Sequence, residues 1–276
     1  MDFRRIEAIF LIVFIFLDIF LFTSYTQARN SVVITSNNGH ATLEKEMAQD
    51  NITVSGKLST KTGSGYYLAS QNSDHTWHNN QTKLHNVTTN YDADKNLLTV
   101  ALNSPVTLPA DHQKQAIYVQ RFLNKPHNAI FGDQYKYAPY LSSKNDLIYV
   151  QKLKWGTLYE SEGNIEVKIS NQRLISYEQT YVDAVSVLRE KQTTISEQRA
   201  VNNLYTNNEI PSNSQIKWTR QGYAKLLKVK GSTIYIPVWY VCFLSKGNKT
   251  SEIRKVNAFN GTIVKSNNFP AVNDDE

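Results

Sequence analysis

A run of apolar residues near the start of the chain restricts what this sequence can form. Residues 9–22 read IFLIVFIFLDIFLF, in which Asp18 is the one residue that is neither aliphatic nor phenylalanine. Extended to residues 6–25, the run spans roughly 30 Å as a helix, which is the thickness of a bilayer's hydrocarbon core. On insertion scales a central Asp costs about 2.5–3.5 kcal/mol, whereas each Leu, Ile, Phe or Val contributes about 0.3–0.6 kcal/mol in favour. The sum favours insertion and predicts a transmembrane helix over residues 6–25.

The residues that flank the run indicate its orientation. Arg4 and Arg5 precede the run, and positively charged residues stay on the cytoplasmic side of a membrane. We therefore predict that residues 1–5 are cytoplasmic and that the chain after Tyr25 is extracellular. The alternative is a cleaved secretory signal, whose apolar core is usually about 7–15 residues long and ends at a small-x-small site. The sequence TSYTQAR after the run has no Ala-x-Ala pattern, which favours an uncleaved anchor.

Asp18 raises the question of a partner inside the membrane. An ionisable residue within a span is a hypothesis for a functional contact, because it needs a partner in an apolar medium. The alternative is that Asp18 is protonated or leans towards the outer headgroups. Helical spacing places the carboxylate in an apolar stripe that predicts an interaction face for another transmembrane helix. The members of this transmembrane face are Leu11, Phe14, Ile15, Asp18, Leu21, Phe22 and Tyr25.

Charge and cysteine usage describe the rest of the chain. The first 29 residues contain three acidic and three basic side chains, so the net charge of +6 belongs to the remainder. A basic part next to a membrane could contact anionic lipid or wall polymer, and the alternative is an ordinary solvated surface. No run of Lys or Arg stands out, so the pattern favours the solvated surface and no nucleic-acid partner. The single cysteine, Cys242, cannot form an intramolecular disulfide and lies in the strand-like segment WYVCFL, where we expect it to be buried.

Local patterns in the extracellular part predict short helices among many strands. Helix signals occur near 40–49, in ADHQKQAIYVQRFLNK with Asp111 as its cap, and in TISEQRAVNNLY. Between the first two, residues 55–82 give weak signals, and Pro105 and Pro109 predict a break in the chain. Hairpin signals occur in VTTNYDADKNLLTVAL and in NIEVKISNQRLISYEQ, and a strand meander follows residue 214.

These elements predict an α+β fold of strand-rich antiparallel sheets with a few short helices. We expect two extracellular subdomains, 28–143 and 144–276, with a boundary near LSSKND at 141–146. Trp218, Trp239 and Tyr223 lie in the meander, and we expect them in its core because aromatic residues in strands usually pack.

The sequence has few signs of catalytic machinery. It lacks a Gly-rich phosphate loop, a nucleophile elbow and a His-Glu-x-x-His motif. Ser214 and Lys217 match Ser-x-x-Lys, and 61–63 match Lys-Thr-Gly, as in penicillin-binding enzymes. In those enzymes the serine motif comes first in the chain and opens a helix, whereas here the order is reversed and Ser214 leads into a strand. We therefore predict no catalytic residues and no enzyme.

A cluster of histidines is the remaining candidate for a metal site. Asp74, His75, His78 and His85 fall within a dozen residues, and His75 and His78 could share a metal if the loop folded back. The alternative is an exposed polar loop, which is favoured because no carboxylate or cysteine at ligand spacing completes the set. We predict no metal and no cofactor.

Two parts of the sequence resemble the YycI family. The opening MDFRRIEAIFLIVFIFLDIFLF is similar to the family's N-terminus, although Asp18 stands where an uncharged residue is expected. The C-terminal stretches ISEQRAVNNLYTNNEIP, GSTIYIPVWYVCF and RKVNAFNGTIV are similar to the family in the same order. The resemblance implies a non-catalytic accessory regulator of the YycG (WalK) sensor histidine kinase, which acts with a single-pass partner, YycH, in the control of cell-wall metabolism. It implies contacts through the transmembrane helix and the extracellular part.

The C-terminal helix and meander also resemble PepSY-like modules. This resemblance implies an alternative function, in which a tethered extracytoplasmic domain binds or inhibits wall-side proteins and the anchor is only a tether.

Overall fold

The computed structural model describes residues 3–30, 37–71, 74–229, 231–248, 250–265 and 272–273. The chain divides into two compact units, Met1–Gln49 and Asp50–Glu276. The first unit contains α1 (Phe3–Asn30) and α2 (Asn37–Gln49). Helix α2 confirms the helix predicted near 40–49. Among the described residues, no helix combines the length and the mean hydropathy needed to cross a bilayer.

The second unit is a strand-rich α+β structure with three short α-helices among its described residues. The helices are α3 (Asp74–Asn80), α4 (His112–Leu123) and α5 (Glu197–Thr206). The strands are β1 (Thr53–Val54), β2 (Gly63–Gly65), β3 (Leu68–Gln71), β4 (Val87–Asp92), β5 (Leu97–Thr107), β6 (Tyr135–Tyr137), β7 (Asp146–Leu153), β8 (Gly156–Thr157), β9 (Asn164–Ser170), β10 (Arg173–Gln179), β11 (Asp183–Val187), β12 (Gln192–Thr194), β13 (Ser214–Val229), β14 (Ser232–Ser245), β15 (Thr250–Asn257), β16 (Ile263–Val264) and β17 (Val272–Asn273).

The described strands form two large sheets and one small one. The seven-stranded sheet has the order β4-β5-β10-β9-β7-β6, with β8 paired to β7. The eight-stranded sheet has the order β1-β13-β14-β15-β16, with β3 paired to β14, β11 to β3 and β17 to β15. Strands β2 and β12 form the small sheet. The named strand pairs are antiparallel except β1–β13, which confirms the predicted strand-rich antiparallel α+β class.

Local chemistry explains the elements that were predicted. Asp111 accepts a hydrogen bond from the backbone N–H of Lys114 at 2.8 Å, and this cap starts α4. Ser196 caps α5 in the same way, through the N–H of Arg199 at 3.2 Å. The β9–β10 hairpin turns at two residues with positive φ, Asn171 (49°) and Gln172 (56°), which is the twist that a two-residue hairpin favours.

Pro105 does not break the chain as predicted, because β5 continues through it to Thr107. In the register with β10, Val106 lies opposite Leu174 and Ala101 opposite Ser176, so Pro105 lies in an irregular stretch of the ladder. A proline has no N–H to donate, and such an irregularity is where a strand tolerates one.

Separate cores lie on the two faces of the seven-stranded sheet. On one face, Trp77, Val119 and Leu123 from the helices pack with Leu147 and Tyr149 of β7. On the other face, the sheet packs against the eight-stranded sheet. That second core contains Ala138, Leu141, Ile148, Val150, Tyr159, Ala224, Ile236, Val238, Tyr240, Cys242 and Ile253. The predicted boundary between residues 143 and 144 falls between β6 and β7, which are neighbours in one sheet, so the division into 28–143 and 144–276 does not follow the sheets.

Candidate interaction surfaces

Helix α1 presents apolar side chains on all sides. Every described side chain from Phe10 to Ser24, including Asp18, is exposed within the chain. The exposed side chains include the described members of the predicted transmembrane face, which are Leu11, Phe14, Ile15, Asp18, Leu21 and Phe22. Arg4, Arg5 and Tyr25 lie in the same helix, but their side chains are outside the described part, so the predictions that rest on them stay predictions.

A buried ion pair joins the two large sheets. Glu160 lies in the segment between β8 and β9, and its Oε1 accepts a hydrogen bond from Nζ of Lys255 on β15 at 2.6 Å. The two side chains are 10% and 5% exposed, so the pair is almost fully removed from water. The hydroxyl of Tyr240 lies 3.1 Å from the same Oε1 and 2.8 Å from the carbonyl oxygen of Tyr223, and these two acceptors share its single proton. Burial raises the pKa of the Glu160 carboxyl, and the Lys255 ammonium offsets part of this rise.

The sequence analysis missed this pair, although a signal for Lys255 is present. Lys255 lies two positions after Ile253 on β15, so both side chains are on the same face of the strand, towards the core between the sheets. A lysine at an inward position of an alternating strand requires a buried partner. Its partner Glu160 lies 95 residues away in the chain, so local pattern does not reveal which carboxylate it is.

Aromatic residues surround the ion pair and reach the surface. The ring of Tyr159 packs edge-on against Tyr240, with 5.4 Å between the ring centroids, and Tyr140 packs edge-on against Tyr159 at 5.8 Å. Trp218 lies 5.0 Å from Tyr140, and the guanidinium of Arg220 lies 3.9 Å from the Tyr140 ring centroid. The aromatic contacts therefore connect the buried pair with an exposed arginine.

The three meander aromatics expected in the core differ in their burial. Tyr223 is buried, as predicted. Trp218 and Trp239 are half-buried, and the indole N–H of Trp239 donates to the carbonyl oxygen of Ile195 at 3.0 Å. This bond ties β14 to the residue that precedes the cap of α5.

A polar cleft of about 480 Å³ opens where β13 begins and β14 ends. Its lining includes Asn51, Asn213, Gln215 and Lys246, together with backbone and hydroxyl groups, and contains no carboxylate among its described residues. The amide N–H of Asn51 donates to Oδ1 of Asn213 at 3.3 Å, so two of the lining side chains bond to each other.

The residues of the enzyme-like motifs do not come together. The hydroxyl of Ser214 donates to the carbonyl oxygen of Pro211 at 2.6 Å and lies 3.0 Å from the Ser245 hydroxyl, so it is engaged in holding a turn. Gly63, from the Lys-Thr-Gly match, lies beside Gln221, which is roughly 20 Å along β13 from Ser214 at strand rise. The Ser214 hydroxyl and the Lys-Thr-Gly match therefore do not share one site.

The histidines are also dispersed. His78 packs edge-on against Tyr91, with 6.0 Å between the ring centroids, whereas His85 stacks on His127 at 4.4 Å. The side chains of Asp74 and His75 lie outside the described part. Within the described residues, no group of three or more His, Cys, Asp or Glu side chains is placed to hold a metal ion. Cys242 is buried in β14, as predicted.

Comparisons with known proteins identify the family. No curated protein matches the sequence. An uncharacterized protein from Eubacterium rectale ATCC 33656 is similar in structure, with 8% identity and a TM-score of 0.44 over 79% of this chain and 92% of that chain. The Bacillus megaterium YpeB C-terminal domain has 12% identity and a TM-score of 0.38 over 84% of this chain and 96% of that chain. The family model described as YycI protein matches residues 30–259. Because this match covers most of the chain, the protein belongs to the YycI family.

Proposed function

We propose that this protein is a membrane-anchored, non-catalytic accessory regulator of a YycG (WalK)-like sensor histidine kinase that controls cell-wall metabolism. The match of residues 30–259 to the YycI family carries the proposal, because the family is associated with that kinase system. In this proposal the protein acts together with a YycH-like single-pass membrane protein and uses no cofactor.

The proposal places α1 across the cell membrane, with the N-terminus in the cytoplasm and residues after Tyr25 outside. A helix that is apolar on all sides is typical of a protein core or a membrane span, and the described side chains of α1 from Phe10 to Ser24 are exposed. Arg4 and Arg5 support the orientation through the positive-inside rule.

The mechanism in this proposal is a shift in the kinase's population of signalling states. A regulator changes that population only if it binds one state more tightly than the other. A change from mostly inactive to mostly active requires a difference of about 5.5 kcal/mol between the two states. A helix–helix contact through the transmembrane face, combined with an extracellular contact, offers two independent contributions to this difference.

Affinity purification of the full-length protein from its native membranes tests the proposed partners. We expect a sensor kinase and a second single-pass protein in the eluate, identified by mass spectrometry. Asp18→Leu should reduce their recovery by about five- to thirtyfold, because an interhelical hydrogen bond in a membrane contributes about 1–2 kcal/mol. Phe16→Leu, which changes an exposed residue off the transmembrane face, is the matched control and should leave recovery unchanged. Recovery of wall-synthesis enzymes in place of a kinase would contradict the proposal.

The alternative function is a PepSY-like binding or inhibitory domain for which the anchor is only a tether. The packing of α5 near β14 and β15 favours this alternative, because a helix on a strand meander is the arrangement on which the resemblance rests.

Exchange of residues 1–27 for an unrelated membrane anchor separates the two functions. We expect kinase-dependent transcription to lose its regulation in this variant, while the extracellular part stays folded and surface-located. Full retention of regulation would instead support the tethered binding domain. Protease accessibility of intact cells checks that the exchanged chain keeps its orientation.

A further inference from the structure

The long β13–β14 hairpin ends in a group of exposed apolar side chains. Leu226, Leu227 and Val229 are 42%, 40% and 46% exposed, and they fall within four consecutive positions beside the turn at Gly231. We call residues 225–229 and 231–234 the hairpin tip. Single exposed aliphatic residues are ordinary, but a contiguous group of them indicates a contact with something apolar.

The register shows that this apolar group extends across the sheet. Leu227 pairs with Ile234 on β14, and Ile234 pairs with Ala69 on β3, so the three side chains lie on one face. Leu188 lies on the other side of β3, where its N–H donates to the carbonyl oxygen of Tyr67. Its side chain is 49% exposed. Ile236, two positions along β14 from Ile234, lies in the core between the two sheets. The same face of the eight-stranded sheet is therefore buried against the seven-stranded sheet at Ile236 and exposed at the hairpin tip.

The edge of β13 argues against another β-strand as that cover. Leu226 is an extra residue in the ladder, because Lys225 pairs with Tyr235 while Leu227 pairs with Ile234. Lys225 and Lys228 flank this bulge on the exposed part of the strand. Bulges and lysines on an edge strand are devices that discourage pairing with a further strand. The tip offers apolar side chains without offering a regular backbone edge.

The charges around the tip favour an anionic surface. Lys225 and Lys228 lie on the tip, and Arg189 and Lys191 follow Leu188. Two acidic residues lie beside these cations. Glu162 forms an ion pair with Lys225 at 2.9 Å, and Glu190 lies between Arg189 and Lys191 in the sequence. Four cations against two anions leave a local excess of positive charge. Exposed leucines next to lysines are the combination with which proteins contact anionic lipid, because the lysine stems lie along the apolar region while their ammonium groups reach the headgroups.

We propose that the hairpin tip is a lipid-contact element, which buries Leu226, Leu227 and Val229 in the headgroup region of an anionic membrane. This contact is separate from kinase regulation and does not depend on whether α1 spans the bilayer. It attaches Asp50–Glu276 to the membrane surface and thereby restricts the orientation of this unit there.

Fluorescence of a labelled tip tests the proposal in the full chain. Leu227→Cys is labelled with an environment-sensitive dye under native conditions, in which Cys242 is buried and protected. Ile175→Cys is the matched control, because Ile175 is a similarly exposed aliphatic residue (38%) on β10 of the other large sheet. Both proteins are reconstituted into phosphatidylcholine vesicles that contain a lipid-borne quencher, with and without phosphatidylglycerol.

We expect the emission of the dye at position 227 to fall about twofold in vesicles that contain phosphatidylglycerol. The decrease should be smaller in phosphatidylcholine alone, because binding combines apolar burial with attraction to anionic lipid. The dye at position 175 should show neither effect. Lys228→Glu should weaken quenching at position 227 without changing the circular dichroism spectrum, since Lys228 is exposed.

Equal quenching at positions 227 and 175, or none at 227, would overturn the proposal. Shielding of position 227 that appears only when a second protein is added would overturn it too, and would assign the tip to a protein partner. Kinase recovery in the purification experiment is measured independently, so failure of the lipid contact and failure of the regulator function are distinguishable.

Discussion

Replacement of Lys255 by methionine is expected to lower the free energy of unfolding by about 3–5 kcal/mol, because it leaves the Glu160 carboxylate buried without its counter-ion. Lys255 and Glu160 are almost fully buried, so water cannot replace the lost ammonium. A urea titration of the full chain in mild detergent, followed by tryptophan fluorescence, measures the change. We expect the midpoint to fall with little change in the slope.

The double variant Glu160→Leu with Lys255→Met provides the control. Replacement of a buried ion pair by apolar side chains is often neutral or stabilising, because both desolvation costs disappear. Tyr240 retains an acceptor in this variant, since its hydroxyl also donates to the carbonyl oxygen of Tyr223. We expect the double variant to lie within about 1 kcal/mol of the natural protein. A double variant as unstable as Lys255→Met would show that the loss comes from packing and not from the unpaired charge.

Trp77→Ala is expected to cost about 3–5 kcal/mol of unfolding free energy, because it empties the position of a fully buried indole. Trp77 lies in α3, and its N–H donates to Oδ1 of Asn96 at 2.6 Å. Asn96 has a positive φ of 51° in the β4–β5 turn, and its side-chain amide donates to the carbonyl oxygen of Tyr181 at 3.3 Å. Loss of the indole therefore removes core volume and one of the hydrogen bonds to Asn96 Oδ1, which also accepts from the Tyr91 hydroxyl at 3.1 Å.

Trp77→Phe separates these two contributions. The phenyl ring retains much of the apolar volume beside Tyr91 but cannot donate to Asn96, so we expect a smaller loss, about 1–2 kcal/mol. Thermal denaturation monitored by circular dichroism compares the two variants. A Trp77→Ala protein as stable as the natural one would mean that α3 does not support the core of the seven-stranded sheet.

The elements that the sequence predicted correctly depend on short-range chemistry. The cap of α4 at Asp111 and that of α5 at Ser196 need only residues three positions away. The β9–β10 hairpin needs two turn residues that accept positive φ between alternating strands. Such signals lie within a dozen residues, which is the range that periodicity and capping rules cover.

The elements that were missed depend on distant partners. Residues 55–82 gave weak signals, yet they contain β2, β3 and α3. Strand β3 has four residues, too few for a pattern of alternation, and it is held by Tyr235 opposite Leu68. The polar residues of the histidine-rich stretch favour an exposed loop, whereas Trp77 within it is completely buried. Strand β5 pairs with β10 across the predicted boundary at 143/144, which is again a contact between distant residues.

The pairing of the first strands with the last hairpin has a consequence for how the chain folds as it is made. Thr53 on β1 pairs with Gln215, about 160 residues later. Leu68 on β3 pairs with Val187 on β11 and then with Tyr235 on β14, so the β3–β14 pairing also waits for about 160 residues. At synthesis rates of about 5–20 residues per second this delay is about 10–30 s. The seven-stranded sheet, whose strands all lie between Val87 and Gln179, is complete much earlier. The eight-stranded sheet therefore closes last, and its opening strands remain available to chaperones, proteases and other chains until the final quarter of the protein has emerged.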